Sequence, residues 1–182
     1  SCGIHGQLKA IGHDAAISTL KDMGVKSFEL RWIRNFLTGR TAKVRYRGST
    51  SDSRAFTAGV PQGTVLGPLL FVIAVDTLLK KLREIPGLDT KAFADDLTLS
   101  VAAKTADEAV PTMQLAMDTL SEWCNWSKMD VNVKKTNGMV FSHSPNPKPG
   151  LDTTTIPVKY RGVELDCSQK SAKLLGIHLD RA

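Results

Sequence analysis

Two adjacent aspartates, Asp95 and Asp96, stand in the stretch KAFADDLTLS, which otherwise alternates as a strand does. Two like charges repel each other, and burying either carboxylate is costly unless a positive charge comes close. An exposed turn is one explanation, because aspartate accepts turn conformations and keeps its carboxylate in water. A bound cation is the other, because Mg²⁺ takes oxygen ligands from one or two carboxylates, phosphates and water. Taken alone, the stretch favours the turn.

A glycine-rich loop, AGVPQGTVLGPLLF at residues 58–71, precedes the aspartate pair. Its glycines, including Gly59 and Gly63, let the backbone approach a ligand closely. Pro61 stiffens the turn, and the amide of Gln62 offers both hydrogen-bond donors and acceptors. The loop therefore predicts a ligand-binding surface, and the alternative is a loop that merely caps a buried helix.

A third group of candidates lies in TAKVRYRGSTSDSRAFTAGV, which alternates with period two, turns from Gly48 to Ser53 and then resumes. This pattern predicts a hairpin. Its first strand would carry Lys43, Arg45 and Arg47 on one face, since alternate residues share a face. Three cations in a row suit a phosphate backbone, and they equally suit a solvated surface.

The elements that must position these residues follow from hydrophobic periodicity and breaker residues. In chain order the predictions are helices over HDAAISTLKDMG and FELRWIRNFLTG, the basic hairpin, a helix from the glycine-rich loop to about Glu84, the FADD hairpin, a long helix from about Thr105 to Ser127, a strand pair in VNVKKTNGMVFS bent at Asn137-Gly138, and short strands near VKYRGVEL and AKLLGIHLD. No linker that would separate two domains is visible.

Composition sets the remaining limits. The chain has 182 residues and a net charge of +6, which fits a polyanionic partner such as nucleic acid but does not establish one. The three cysteines and four histidines are scattered, without zinc or disulfide spacing, so no disulfide-linked partner is expected. We see no secretion signal and no apolar run long enough to span a bilayer. These features predict a nuclear or cytoplasmic protein with no membrane partner.

Five sequence blocks follow one another along the chain. In order they are GRTAKVRYRG, GVPQGTVLGPLLFVIAVDTL, FADDLTL, VNVKKTNGMVFS and KLLGIHLD. This combination resembles the reverse transcriptases of non-LTR retrotransposons, most of all the ingi/jockey group, from about residue 13 to the end. The resemblance implies an α+β fold, the palm subdomain of a right-hand polymerase, with an antiparallel sheet backed by helices. It also makes the metal explanation of the aspartate pair the stronger one.

Further roles are implied by the same resemblance. Asp95 would be a direct ligand of Mg²⁺ or Mn²⁺, with Asp96 beside it. The remaining site residues would be Phe93 and Ala94 at the primer end, Pro61, Gln62 and Gly63 along the nucleotide and template surface, and Lys135 near the leaving pyrophosphate. Lys134 is the weaker candidate for that last role, and both lysines also suit plain surface charge. The partners would be an RNA template, a DNA primer and a deoxynucleoside triphosphate.

One family motif is broken. The earlier metal motif runs Asp-x-x-x-Ala-Phe-Asp-x-x-x-His, and its histidine aligns with His13. Its first aspartate then falls on Gly3, its aromatic gate on Leu8 and its second aspartate on Lys9. Residues 1–12 are therefore predicted to be a non-matching leader, left by frameshift, truncation or decay, and residues 13–182 a partial palm.

A broken metal motif predicts a polymerase fragment that is inactive as an isolated chain. The alternative is a degenerate, non-enzymatic remnant that keeps only nucleic-acid binding. An intron maturase or telomerase palm is a third interpretation, which the wording of the GVPQGTVLGPLLF and KLLGIHLD blocks disfavours.

Overall fold

A computed structural model of the chain describes residues 2–9, 12–55, 59–60, 63–141, 157–167, 171–174 and 177–180. In chain order the elements are β1 (Cys2–Lys9), α1 (His13–Asp22), α2 (Ser27–Leu37), β2 (Thr41–Ala42), β3 (Arg45–Tyr46), β4 (Ser49–Thr50), β5 (Arg54–Ala55), α3 (Leu66–Arg83), β6 (Leu88–Phe93), β7 (Asp96–Val101), α4 (Ala106–Ser127), β8 (Asp130–Val131), a 3₁₀ turn (Val133–Lys135), β9 (Asn137–Val140), β10 (Lys159–Tyr160), β11 (Val163–Glu164), β12 (Ser171–Leu174) and β13 (Ile177–Asp180).

The chain divides into two compact units. The first, here termed the sheet unit, comprises Ser1–Lys9, Leu78–Cys124 and Asp130–Ala182. The second, termed the helical unit, comprises Ala10–Thr77 and Asn125–Met129. Their division falls inside α3 and α4, so a search for linkers by composition could not find it. Whether residues 1–12 form a separate leader stays a prediction, although β1 belongs to the sheet unit.

A five-stranded antiparallel sheet with β1 in its centre dominates the sheet unit. On one side β1 pairs with β7, which pairs in turn with β6 at the edge. On its other side β1 pairs with β9 over its first half and with β8 at its end. Helices together with antiparallel sheets confirm the predicted α+β class.

Burial in β7 alternates in the way that a sheet with one covered face requires. Leu97, Leu99 and Val101 are buried, whereas Asp96 and the other residues between them are only half-buried. Helix α4 buries one face, as its periodicity predicted, and the residues on it are Met113, Met117, Leu120 and Cys124. The alternation places Asp96 on the face of β7 opposite to the core.

The hairpin β10–β11 is held against α4 by a pair of hydrogen bonds. Gln114 accepts a bond from the backbone N–H of Lys159 at 2.8 Å and donates one to its carbonyl at 3.0 Å. The neighbouring Tyr160 is buried and donates its hydroxyl to Asp130 at 3.2 Å. Burial raises the pKa values of Tyr160 and Cys124, so both groups remain neutral at physiological pH.

The strand pair predicted in VNVKKTNGMVFS was expected to bend at Asn137-Gly138, and that position of the bend is wrong. Val133–Lys135 is a 3₁₀ turn, and Asn137-Gly138 lies inside β9. Asn-Gly favours hairpin turns when it is free to form one. Here the close packing of another segment requires a glycine, because a Cβ at position 138 would overlap the Cys167 sulfur. The glycine therefore serves a close approach between two segments.

Replacing Gly138 by alanine should lower the free energy of unfolding by about 1–2 kcal/mol, because a methyl group inserted there overlaps the buried Cys167. The substitution should cost less in a Cys167→Gly background, which removes the overlapping side chain. Urea unfolding of the four members of this double-mutant cycle measures the coupling. Equal costs in both backgrounds would show that the two residues do not touch.

The core of the helical unit forms where α1 and α2 pack together with the start of α3. Ile17, Leu20, Leu37 and Leu70 are buried in it. The helix predicted over FELRWIRNFLTG is confirmed, and its apolar residues Leu30, Ile33 and Phe36 pack against this core. Among the described residues, no helix is both long and apolar enough to cross a membrane.

Candidate active site

A tight hairpin presents the two aspartates. Phe93 at the end of β6 pairs with Asp96 at the start of β7, so that only Ala94 and Asp95 form the connection. Ala94 has a φ of +51°, a left-handed conformation that few residues without glycine's freedom adopt. Phe93 is 66% exposed and Asp95 and Asp96 are half-buried. The predicted hairpin is confirmed, and it brings Phe93, Ala94, Asp95 and Asp96 together.

Replacing Ala94 by glycine should raise the free energy of unfolding by about 0.5–1 kcal/mol. The left-handed conformation costs an alanine about 1–2 kcal/mol, and part of that gain is lost to the greater freedom of glycine in the unfolded chain. The matched control is Ala92→Gly in the extended part of β6, which should destabilise by about 0.5–1 kcal/mol. Urea midpoints that shift in the same direction for both variants would contradict the left-handed turn.

Strand β1 runs directly beside Asp96. The register places Gln7 opposite Asp96 and Gly3 opposite Ser100. Gly3 is thus four residues away along the ladder, about 13 Å at the rise of an antiparallel strand. The position that the family alignment assigns to the first aspartate is therefore remote from the hairpin tip, and position 7 is adjacent to it. No local pattern in the sequence could have indicated this partner, since it depends on long-range pairing.

Asp95 and Asp96 fit a divalent ion by ligand type, because Mg²⁺ and Mn²⁺ prefer carboxylate oxygens. Within the described part of the chain, however, no group of three histidine, cysteine or acidic residues comes together in a way that could hold a metal ion. The two aspartates therefore supply only part of an octahedral ligand set. A complete site needs further oxygen ligands from protein, substrate or water.

Lys135 ends the 3₁₀ turn that precedes β9, and its side chain is exposed. The turn is closed by hydrogen bonds from the backbone N–H groups of Lys135 and Thr136 to the carbonyls of Asn132 and Val133, at 2.9 and 3.1 Å. Lys134 is exposed on the same turn, so the geometry does not separate the two lysines.

The glycine-rich loop belongs to the helical unit. Gly59 is buried with a φ of +80°, and its carbonyl accepts a hydrogen bond from His13 Nε2 at 2.9 Å. His13, the first residue of α1, thus anchors the loop and has a structural role. Gly63 is exposed with a φ of +79° and has open space around it. The predicted site residues Pro61 and Gln62 lie outside the described residues.

The basic hairpin differs from its prediction in the position of its turn and in its first strand, which is interrupted because Lys43 lies between β2 and β3. Lys43 and Arg45 are exposed as expected, but Arg47 lies in the turn between β3 and β4 with a φ of +47°. Its guanidinium carbon is 5.2 Å from the ring centroid of Tyr46, a cation–π contact. The turn falls at Arg47-Gly48 rather than at Gly48 to Ser53, so the three cations do not continue one strand face.

The family model described as "Reverse transcriptase (RNA-dependent DNA polymerase)" matches residues 9–179. The chain belongs to the reverse transcriptase family. As a family, reverse transcriptases bind an RNA template, a primer and deoxynucleoside triphosphates, and they use divalent metal ions. The match begins at residue 9, inside the segment predicted as a leader.

The relatives of this reverse transcriptase chain are polymerases of mobile elements. It is 33% identical to the "Probable RNA-directed DNA polymerase from transposon BS" of Drosophila melanogaster, over 94% of the chain and 18% of that protein. It is 29% identical to the "Probable RNA-directed DNA polymerase from transposon X-element" and 27% identical to the "RNA-directed DNA polymerase from mobile element jockey", both of Drosophila melanogaster. Each match covers 82% of the chain and 16% of the relative. The predicted relationship to non-LTR retrotransposon enzymes is confirmed. The chain spans less than a fifth of the length of these relatives.

Proposed function

We propose that this chain is part of the palm of a non-LTR retrotransposon reverse transcriptase and takes part in template-directed DNA synthesis on RNA by two-metal nucleotidyl transfer. The observation that carries the proposal is the two-residue hairpin that holds Asp95 and Asp96 side by side, next to the central strand of the sheet. Carboxylates on a hairpin tip stay accessible while the paired strands keep them in place. Primer extension by a longer protein containing this chain is the direct test.

In this proposal Asp95 and Asp96 bind a divalent ion, Mg²⁺ or Mn²⁺. When bound, such ions stabilise the charge that develops on the attacking and leaving oxygens of a phosphoryl displacement. Adjacent like charges repel each other, and a bound cation would offset that repulsion between the two carboxylates. The incomplete ligand set among the described residues supports weak binding only.

The neighbouring residues position substrate. Phe93 and Ala94 form the end of the hairpin and would lie against the primer, where the exposed ring of Phe93 offers apolar contact. Pro61, Gln62 and Gly63 would line the surface for nucleotide and template, and Gly63 has the open surroundings that a close ligand requires. Lys135 would neutralise charge on the leaving pyrophosphate.

Lys43, Arg45 and Arg47 are proposed to contact the phosphate backbone of an RNA–DNA hybrid. Changing all three to glutamine should flatten the slope of log affinity against log salt by about two to three units, since each neutralised phosphate contributes roughly 0.7–0.9. Fluorescence anisotropy with a labelled hybrid at several salt concentrations measures that slope.

The matched control for this prediction is Lys80, Lys81 and Arg83→Gln, which removes the same charge from the exposed end of α3. Its slope should equal that of the parent chain. Equal slopes for all three proteins would mean that the basic hairpin is a solvated surface.

A second candidate function is a degenerate remnant that only binds nucleic acid. The observation in its favour is that Gly3, Leu8 and Lys9 replace the first metal motif of the family. The two candidates differ in chemistry and not in binding, so catalytic activity of a longer protein with an intact first motif separates them. For either candidate we propose a nuclear or cytoplasmic location.

A further inference from the structure

Helix α2 carries a row of aromatic rings on one side. Phe28, Trp32 and Phe36 follow at intervals of four residues, which places them on one helix face about 6 Å apart along the axis. Phe28 is 69% exposed and Trp32 is 56% exposed. The rings of Trp32 and Phe36 stack, with centroids 6.2 Å apart and planes 12° from parallel. These three residues are termed the aromatic face.

Two arginines lie over the ends of the aromatic face. The guanidinium carbon of Arg31 is 6.0 Å from the ring centroid of Phe28, and that of Arg40 is 4.4 Å from the ring centroid of Phe36. Arg40 also donates a hydrogen bond to the carbonyl of Phe36. The face therefore combines exposed rings with fixed positive charge.

Packing against the core of the helical unit orders the aromatic face. Phe36 is only half-exposed and packs against the core of the helical unit, next to Ile33 on the same helix. Trp32 stacks on Phe36 and is thereby fixed as well. A surface ordered before a ligand arrives loses less conformational entropy on binding.

The charge of the chain is concentrated around this helix. Residues 26–54, which run from the start of α2 through the basic hairpin, contain eight basic and two acidic residues. Their net charge equals the +6 of the whole chain, so the remaining residues sum to zero. A concentrated positive charge attracts a polyanion.

We propose that the aromatic face binds single-stranded nucleic acid by base stacking. Exposed rings with nearby arginines are the means by which proteins hold unpaired bases without sequence preference. Duplex bases are already stacked on each other and cannot reach the rings, so the ligand must be single-stranded. This inference rests on the proposed function and extends it, because it assigns the binding of an unpaired stretch of template or product to residues other than those of the aspartate hairpin.

The test uses the full 182-residue chain and a dye-labelled oligouridylate about twelve nucleotides long, without metal ions. Phe28→Ala and Trp32→Ala should each weaken binding about tenfold, and Trp32→Phe should retain most of the affinity. A blunt RNA duplex of the same length should bind all variants equally. Addition of the single strand should also quench the fluorescence of Trp32 in the parent chain.

Trp126→Ala is the matched control, since Trp126 is another exposed helical tryptophan, 45% exposed on α4. It should bind the single strand as the parent does. Unchanged binding by the Phe28 and Trp32 variants would overturn the proposal, and so would an equal loss for single strand and duplex. Self-association of the chain that Trp32→Ala abolishes would assign the face to a contact between copies, which also overturns it.

Asp95→Asn separates this inference from the proposed function. Binding of the single strand should survive that substitution, since the aspartates take no part in stacking. Normal hybrid binding together with no effect of the aromatic substitutions would defeat the inference and leave the proposed function intact.

Discussion

Primer extension on an RNA template with Mg²⁺ or Mn²⁺ should give no product with the 182-residue chain alone. Transfer by two metal ions needs carboxylates from two separate segments, and Gly3, Leu8 and Lys9 carry none. The chain also spans less than a fifth of its relatives and lacks what the rest of such a protein adds to the positioning of primer and template, which is worth several kcal/mol of the barrier. These losses multiply.

Activity should return in a longer protein that carries the flanking subdomains around residues 13–182 and an intact Asp-x-x-x-Ala-Phe-Asp block whose first aspartate is placed opposite Asp96, the position that Gln7 has in this chain. There Asp95→Asn should lower the rate of extension at least about a thousandfold, which corresponds to about 4 kcal/mol of barrier. Asp89→Asn is the control, since Asp89 is an exposed carboxylate on the same hairpin, paired with Lys91 at 3.0 Å. Extension by the short chain that Asp95→Asn abolishes would contradict the alignment of its first twelve residues.

The second large effect is expected when a third carboxylate is added beside Asp95 and Asp96. The parent chain should bind Mn²⁺ with a dissociation constant of about a millimolar or weaker, because two carboxylates are an incomplete ligand set. Gln7→Asp should tighten this about tenfold to a hundredfold, because directly opposed positions on antiparallel strands bring their Cβ atoms within about 5.5 Å. Paramagnetic broadening of amide signals at residues 93–98 during an Mn²⁺ titration measures the affinity and locates the site.

Gly3→Asp is the matched control for that experiment. It adds the same charge to the same strand, but its register partner is Ser100, remote from the hairpin tip. It should leave the Mn²⁺ affinity unchanged. Equal tightening by the two substitutions would mean that general charge and not position determines binding. Broadening at residues 93–98 no stronger than elsewhere in the parent chain would rule out the aspartate site.

Local sequence patterns alone were enough to predict several secondary-structure elements and to identify the family. The alternation of KAFADDLTLS predicted the hairpin that holds Asp95 and Asp96, and helical spacing predicted the buried face of α4. Such signals are local, because the period of a strand or helix is set by its own backbone geometry. The ordered blocks around Asp95 identified the reverse transcriptase family for the same reason, since each block is a short contiguous stretch.

What the tertiary structure decided depends on residues far apart in the chain. Asn137-Gly138 has the composition of a turn, yet it lies in a strand because β1 pairs with it and Cys167 packs against the glycine. The partner of Asp96 is Gln7, a choice made by strand register. A shift of that register by a single residue would turn every side chain of β1 to the other face, and no local period reports it.

The surface of α2 shows the same division. Its hydrophobic periodicity predicted a helix, and Leu30, Ile33 and Phe36 on that helix pack on the core. Phe28 and Trp32 stand outside it, and their spacing of four residues was visible in the sequence without indicating exposure. Whether an aromatic ring is buried or exposed depends on what packs over it, which is a property of the assembled fold. The sequence by itself determined the local elements, the family and the chemical types of the site residues, whereas pairing across the sheet and packing over the helices determined which of those residues meet.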